Sequence, residues 1–201
     1  MIRIVCADIA SADACIYRGL YKKASDQRKS RADRYLRQED KLRCVTAAAL
    51  LKNLLGADDD QIAKNDFGKP YLKDRRGVYY NLSHSGRYVV LAWGDTELGI
   101  DVQKHEACTN MEAVGTRFFA LDELQYARGD IGRFYEIWTK KESFLKYTGK
   151  GLHTDLRAFS VLAPESDIRY FYRTLGTDYS LSLCTEDHEI ETTLLDVQQL
   201  L

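Results

Sequence analysis

The chain reads as an α+β protein built from two similar halves, residues 1–100 and 101–201, with a cleft between them. Three observations predict this. Two long amphipathic helices, around 39–55 and 131–149, each run into a glycine, at Gly56 and at Gly149 and Gly151. Each is followed by a loop and then by hairpin-like strands, around 88–103 and 179–196. Strand composition also opens the chain and fills it beyond about residue 156.

The elements follow in order. MIRIVCADIA reads as a first strand; it lacks the basic region and long apolar core of a signal peptide. Residues 22–43 are locally basic, with Lys22, Lys23, Arg28, Lys29, Arg31, Arg34, Arg37, Lys41 and Arg43 against Asp26, Asp33, Glu39 and Asp40. Such a run makes either a solvated helix face or a surface for a polyanionic ligand. In EDKLRCVTAAALLKNLL (39–55) apolar residues recur at helical spacing through Leu42, Val45, Ala49 and Leu50. FGKPYL (67–72) reads as a loop. RGVYYNLSHSGRYVVLAWG (76–94) reads as strand, turn, strand, with Ser83 and His84 at the turn. TELGIDVQ (96–103) is the next strand. Residues 111–129 are helical, in one or two pieces. IGRFYEIWTKKESFLKYTG (131–149) is the best helix, with Phe134, Ile137, Trp138, Lys141, Phe144 and Leu145 in 3-4 spacing. FSVLA, IRYFYRTL and YSLSLCTE read as strands.

Composition excludes several classes. The net charge of −1 offers no global attraction to nucleic acid. No run of about 18 apolar residues appears, so no membrane span is expected. The cysteines, Cys6, Cys15, Cys44, Cys108 and Cys184, are odd in number and contain no C-x-x-C pair. That argues against a zinc site or a disulfide framework and fits a reducing cytoplasm.

Four stretches carry candidate chemistry. In LGIDVQ, Asp101 and Gln103 point to one side of a strand, where carboxylate and amide oxygens suit a hard cation; a strand end would look the same. Glu142 and Lys146 stand four apart on one helix face, a pair that alone stabilises a helix by about 0.2–0.5 kcal/mol. Ser83 and His84 offer hydroxyl and imidazole donors to a phosphate, and no G-x-S-x-G elbow makes Ser83 a hydrolase nucleophile. Gly68-Lys69-Pro70 is no P-loop but presents backbone groups and a lysine to an anion or a flat ring.

Taken together, FGKP, N-x-SHS, GID and W-x-x-KES-x-x-K, in this order and at these separations, resemble the surfactin-type (Sfp-like) branch of the 4′-phosphopantetheinyl transferase superfamily. The resemblance covers roughly residues 28–160, and GID with W-x-x-KES-x-x-K is its specific part. It implies the fold of that family, a pseudo-dimer of two α+β halves about a pseudo-twofold axis, with the active site in the cleft. It implies transfer of phosphopantetheine from coenzyme A to a serine of an apo acyl or peptidyl carrier protein. It also implies Mg²⁺, with Mn²⁺ as an alternative, on Asp101 and Glu142. Glu142 would then be the general base and Lys146 would steady a pyrophosphate oxygen. Ser83 and His84 would touch the phosphates, Lys69 and Pro70 the adenosine end, and Arg43, helped by Arg28 and Arg31, the 3′-phosphate. The direction of Lys141 is left open. Gln103 departs from the acidic residue the branch carries two places after Asp101, which puts the coordination set in doubt. Arg117, Phe118 and Phe119 are candidates for carrier docking, with core packing the competing role for at least one phenylalanine. A monomer is expected, since an internal pseudo-dimer completes its own cleft. Two rival readings stay open: a metal-dependent hydrolase of coenzyme A or a related nucleotide, and a non-catalytic binding relative.

Overall fold

The computed structural model describes residues 1–106, 111–151, 154–164 and 167–201. Apolar residues on both sides of a strand demand cover on both sides, and the architecture supplies it. A four-stranded sheet runs in the order β4 (Tyr79–Ser85), β5 (Tyr88–Gly94), β1 (Ile2–Asp8), β9 (Ile190–Asp196). β1 is antiparallel to β5 and parallel to β9. Along β1, Val5 and Ala7 face a layer of three helices, α1 (Ala14–Lys23), α2 (Asp26–Asp33) and α3 (Gln38–Leu55). Ile2, Ile4 and Cys6 face the other way, against the second sheet.

That sheet runs β6 (Leu98–Lys104), β8 (Tyr179–Thr185), β7 (Arg169–Leu175), all antiparallel. Ile100, Val102, Leu181 and Leu183 fill the space between the sheets. On its far side lie α4 (Met111–Phe118), α5 (Leu121–Ala127) and α6 (Ile131–Thr148), with Phe119, Phe134, Ile137 and Val161 as their core. A small hairpin, β2 (Ile62–Lys64) with β3 (Pro70–Leu72), completes the fold. Both long helices, α3 and α6, close on left-handed glycines, Gly56 (φ 57°) and Gly149 (φ 62°), a conformation only glycine adopts cheaply.

α6 lies across β6 and β8. Small residues make this close approach feasible. Ser143 on α6 sits over Ser182 on β8 (3.5 Å), and a Cβ at Gly99 would collide with the Ser143 carbonyl and the Tyr147 nitrogen.

Several expectations are revised. Ser83 and His84 lie within β4, and the chain turns after them at Gly86-Arg87. The FSVLA stretch is not a strand: a single 3₁₀ turn, Leu156–Ala158, precedes it, and Val161 plugs into the helical core. Residue 100 lies within β6, and β9, from the end of the chain, pairs with β1 in the four-stranded sheet. Among the described residues no helix is long and apolar enough to cross a membrane. Cys6, Cys15, Cys44 and Cys184 are free thiols, and Cys108 lies outside the described residues.

Candidate active site

β4 and β6 are edge strands of different sheets, and side chains rather than a backbone ladder join them. Asn81, Ser83 and Ser85 alternate along β4, so they share one face. The Asn81 side-chain oxygen accepts from the Ile100 N–H (3.1 Å), Ser83 Oγ from Val102 N–H (3.2 Å) and Ser85 Oγ from Lys104 N–H (3.0 Å). Three edge donors of β6 that would otherwise be orphaned are satisfied. This explains the pattern N-x-S-x-S, and it fixes Asp101 midway along the zipper.

Asp101 is 2% exposed, and its carboxylate is held on every side. Oδ1 accepts from Ser83 Oγ at 2.9 Å and from Lys146 Nζ at 2.6 Å, and Oδ2 accepts from Gln103 Nε2 at 3.2 Å. Lys146 also donates to Ser83 Oγ (3.0 Å) and to the Ile100 carbonyl (2.9 Å). Glu142 stands one turn before Lys146. Burial first, and then the negative charge of Asp101, raise its pKa above the ordinary glutamate value, against the pull of Lys146. Glu142, Lys146, Asn81, Leu82, Phe67 and Pro70 line a cavity of about 310 Å³.

At the edge of this group sits His84. Desolvation, followed by the positive charges of Arg43 and Lys146, lowers its pKa, so the ring is neutral near pH 7. Arg43 is anchored through Asp40 (2.6 Å) and the Gly86 carbonyl (2.6 Å). The sequence-predicted residues Asp101, Gln103, Glu142, Lys146, Ser83, His84 and Arg43 are thus brought together. Arg28 is not. It is buried beside a different cavity and spends its guanidinium on Asp59, and the charge of Arg31 acts on the same aspartate. Lys69 and Pro70 do line the site cavity, but the Lys69 ammonium bonds to protein groups.

The open direction of Lys141 is resolved. It is fully buried, paired with the equally buried Glu123 at 2.8 Å, and donates to the Leu156 (2.6 Å) and Phe159 (3.0 Å) carbonyls. Glu123 accepts from the Ala120 and Val161 N–H groups as well (both 2.7 Å). Half of the Lys-Glu dipeptide is therefore structural. Local sequence offered no signal for Glu123, which reads as an ordinary first-turn glutamate. Phe119 is core at 1% exposure, whereas Phe118 packs edge-on against Trp138 and beneath the Arg117 guanidinium.

Two carboxylates, one of them driven toward protonation by burial and then by the charge of the other, would be relieved by a cation. Among the described residues no group of three or more His, Cys, Asp or Glu side chains is placed to hold a metal.

The profile of the 4′-phosphopantetheinyl transferase superfamily matches residues 97–197, which spans Asp101, Glu142 and Lys146. The chain belongs to that superfamily and is an enzyme of its Sfp-like branch. It is 27% identical to the 4′-phosphopantetheinyl transferase Sfp of Bacillus subtilis, over 88% of this chain and 89% of the relative. It is 31% identical to another 4′-phosphopantetheinyl transferase of Bacillus subtilis, over 80% and 81%. It is 34% identical to a putative 4′-phosphopantetheinyl transferase of Synechocystis, over 74% and 65%.

Proposed function

We propose that this protein transfers the 4′-phosphopantetheine moiety of coenzyme A to a serine hydroxyl of an apo acyl or peptidyl carrier protein, releasing adenosine 3′,5′-bisphosphate. The observation that carries the reading is the cluster in which Lys146 bonds to Asp101 and Ser83 while Lys146 and Glu142 line a cavity, with the charges of Lys146 and Arg43 both acting on His84.

The serine oxygen attacks the phosphorus that bears the pantetheine arm. A new P–O bond forms, the bond from that phosphorus to the bridging pyrophosphate oxygen breaks, and the oxygen leaves with its electron pair as part of the 5′-phosphate of adenosine 3′,5′-bisphosphate. Glu142 accepts the serine proton, directly or through a water. Lys146 holds a phosphate oxygen once it exchanges part of its contact with Asp101. His84 and the fixed guanidinium of Arg43 supply donors for the remaining phosphates, and Ser83, whose hydroxyl donates to Asp101, holds Asp101 and Lys146 in place beside them. Mg²⁺, with Mn²⁺ as the alternative, is the cofactor assigned to Asp101 and Glu142, and when bound it supplies charge neutralisation at the pyrophosphate. Gln103 contributes an uncharged amide to this set, so substrate oxygens and water complete it.

In this reading residues 1–100 supply most nucleotide contacts and residues 101–201 the metal and base. A monomer is the proposed state, since residues from both halves, Phe67 to Leu82 and Glu142 to Gly151, line the cavity together. Arg117 and Phe118 are assigned to the docking of an acidic carrier, in the cytoplasm. The test is incubation with coenzyme A, Mg²⁺ and a panel of apo carriers, read by mass spectrometry. A phosphopantetheine adduct on carrier serine supports the reading. Release of adenosine bisphosphate with no carrier present would point to a hydrolase.

A further inference from the structure

We propose that Lys69 is a positioning residue: with Glu97 and Asn65 it rivets the 65–70 loop to the C-terminal end of α6 and so sets the shape of the cavity that contains Glu142 and Lys146. The proposal deepens the transferase reading and rests on it for its ligand, coenzyme A.

A lysine ammonium has three donors. All three of Lys69 are spent inside the protein: on the Glu97 carboxylate, on the Leu98 carbonyl at 3.1 Å and on the Tyr147 carbonyl at 2.9 Å. The side chain is 13% exposed. Reaching a phosphate would break one of these three contacts, and the side chain is less open to solvent than that of Lys146, which is 28% exposed. Tyr147 belongs to the last turn of α6, whose carbonyls lack helical partners, so a cation there also complements the helix dipole. Asn65 repeats the device. Its Nδ2 donates to the Gly149 carbonyl (3.2 Å), while its Oδ1 accepts from the Phe67 (3.0 Å) and Lys69 (2.9 Å) N–H groups, which shapes the loop itself. A Cβ at Gly149 would run into the Lys69 chain and the Asn65 amide, so the helix end and the loop are in direct contact. Lys69 and Pro70 form a wall between the site cavity and a larger groove of about 840 Å³ on the other side. Glu97 opens the segment that becomes β6, so the same contact ties the loop to the strand carrying Asp101.

A rivet and a ligand contact predict different pairings of effects. Lys69→Met, Glu97→Gln, the double variant and Asn65→Ala are compared with the wild type for coenzyme A KM and kcat in carrier modification. Hydrogen–deuterium exchange of the amides in 65–70 is measured in parallel. The rivet predicts that Lys69→Met and Glu97→Gln each raise the coenzyme A KM by about tenfold with kcat within about twofold, and that the double variant is no worse than either single. It also predicts faster exchange across 65–70 in every variant. A Lys69→Met defect with a normal or tighter-binding Glu97→Gln would overturn it, because freeing the ammonium would then help the ligand. Unchanged exchange in Glu97→Gln and Asn65→Ala would overturn it as well. If the wild type neither binds coenzyme A nor modifies a carrier, the transferase reading fails, and the exchange data still decide the rivet.

Discussion

Replacing Lys141 with methionine removes a buried ammonium from the residue next to the assigned base. In the folded protein that ammonium meets the Glu123 carboxylate and two backbone carbonyls, and both charged side chains are fully out of solvent. Methionine fills similar volume but leaves the Glu123 charge without a cation, and the Leu156 and Phe159 carbonyls without this donor. Breaking one side of such a pair costs about 3–5 kcal/mol. For a chain of this size each kcal/mol moves the melting temperature by about 2–4 °C, so Lys141→Met is expected to lower it by about 6–20 °C. Lys141→Met/Glu123→Leu removes both charges and is expected to recover a good part of the loss, since replacing a whole buried pair is often neutral. Thermal melts followed by circular dichroism, with carrier modification measured well below the transition, give the comparison. A fall of less than about 3 °C together with lost activity would refute the reasoning, because Lys141 would then act on the substrate rather than on the fold.

Glu142→Gln is expected to cut transfer by about 10²–10⁴-fold and to stabilise the fold. The native pKa of Glu142 lies above its unfolded value, so the carboxylate costs stability once the pH rises through the native pKa. The gain in melting temperature should therefore appear at neutral pH and vanish in acid below the ordinary glutamate value. Gly99→Ala drives a methyl group into the α6 backbone at Ser143 and Tyr147; overpacking of this kind costs about 1–3 kcal/mol, and the melt should fall accordingly. Gln103→Glu adds a charge beside Asp101, and isothermal calorimetry should show tighter Mg²⁺ binding than in the wild type.

What the sequence made legible was what periodicity and motif chemistry can carry. Helix α6 was readable because its apolar residues and terminal glycine are local signals, and Asp101, Glu142 and Lys146 stand in a spaced motif. The remainder depended on partners distant in sequence. NLSHS looked like a turn because polar residues are rare on a buried edge; they are there because Asn81, Ser83 and Ser85 satisfy β6 backbone donors. FSVLA has strand composition, but its Val161 amide is claimed by Glu123, 38 residues away. Arg28 and Lys69 looked like free cations because nothing local announces Asp59 or Glu97. β9 pairs with a strand nearly the whole chain length upstream, which no local pattern announces.

Mass spectrometry of an apo carrier protein incubated with coenzyme A, Mg²⁺ and this enzyme, beside Asp101→Ala and Glu142→Gln, tests the central claim most directly. The account predicts a phosphopantetheine adduct on the carrier serine with the wild type and none with either folded variant. An adduct formed at wild-type rate by both variants, or adenosine bisphosphate released without any adduct, would contradict it.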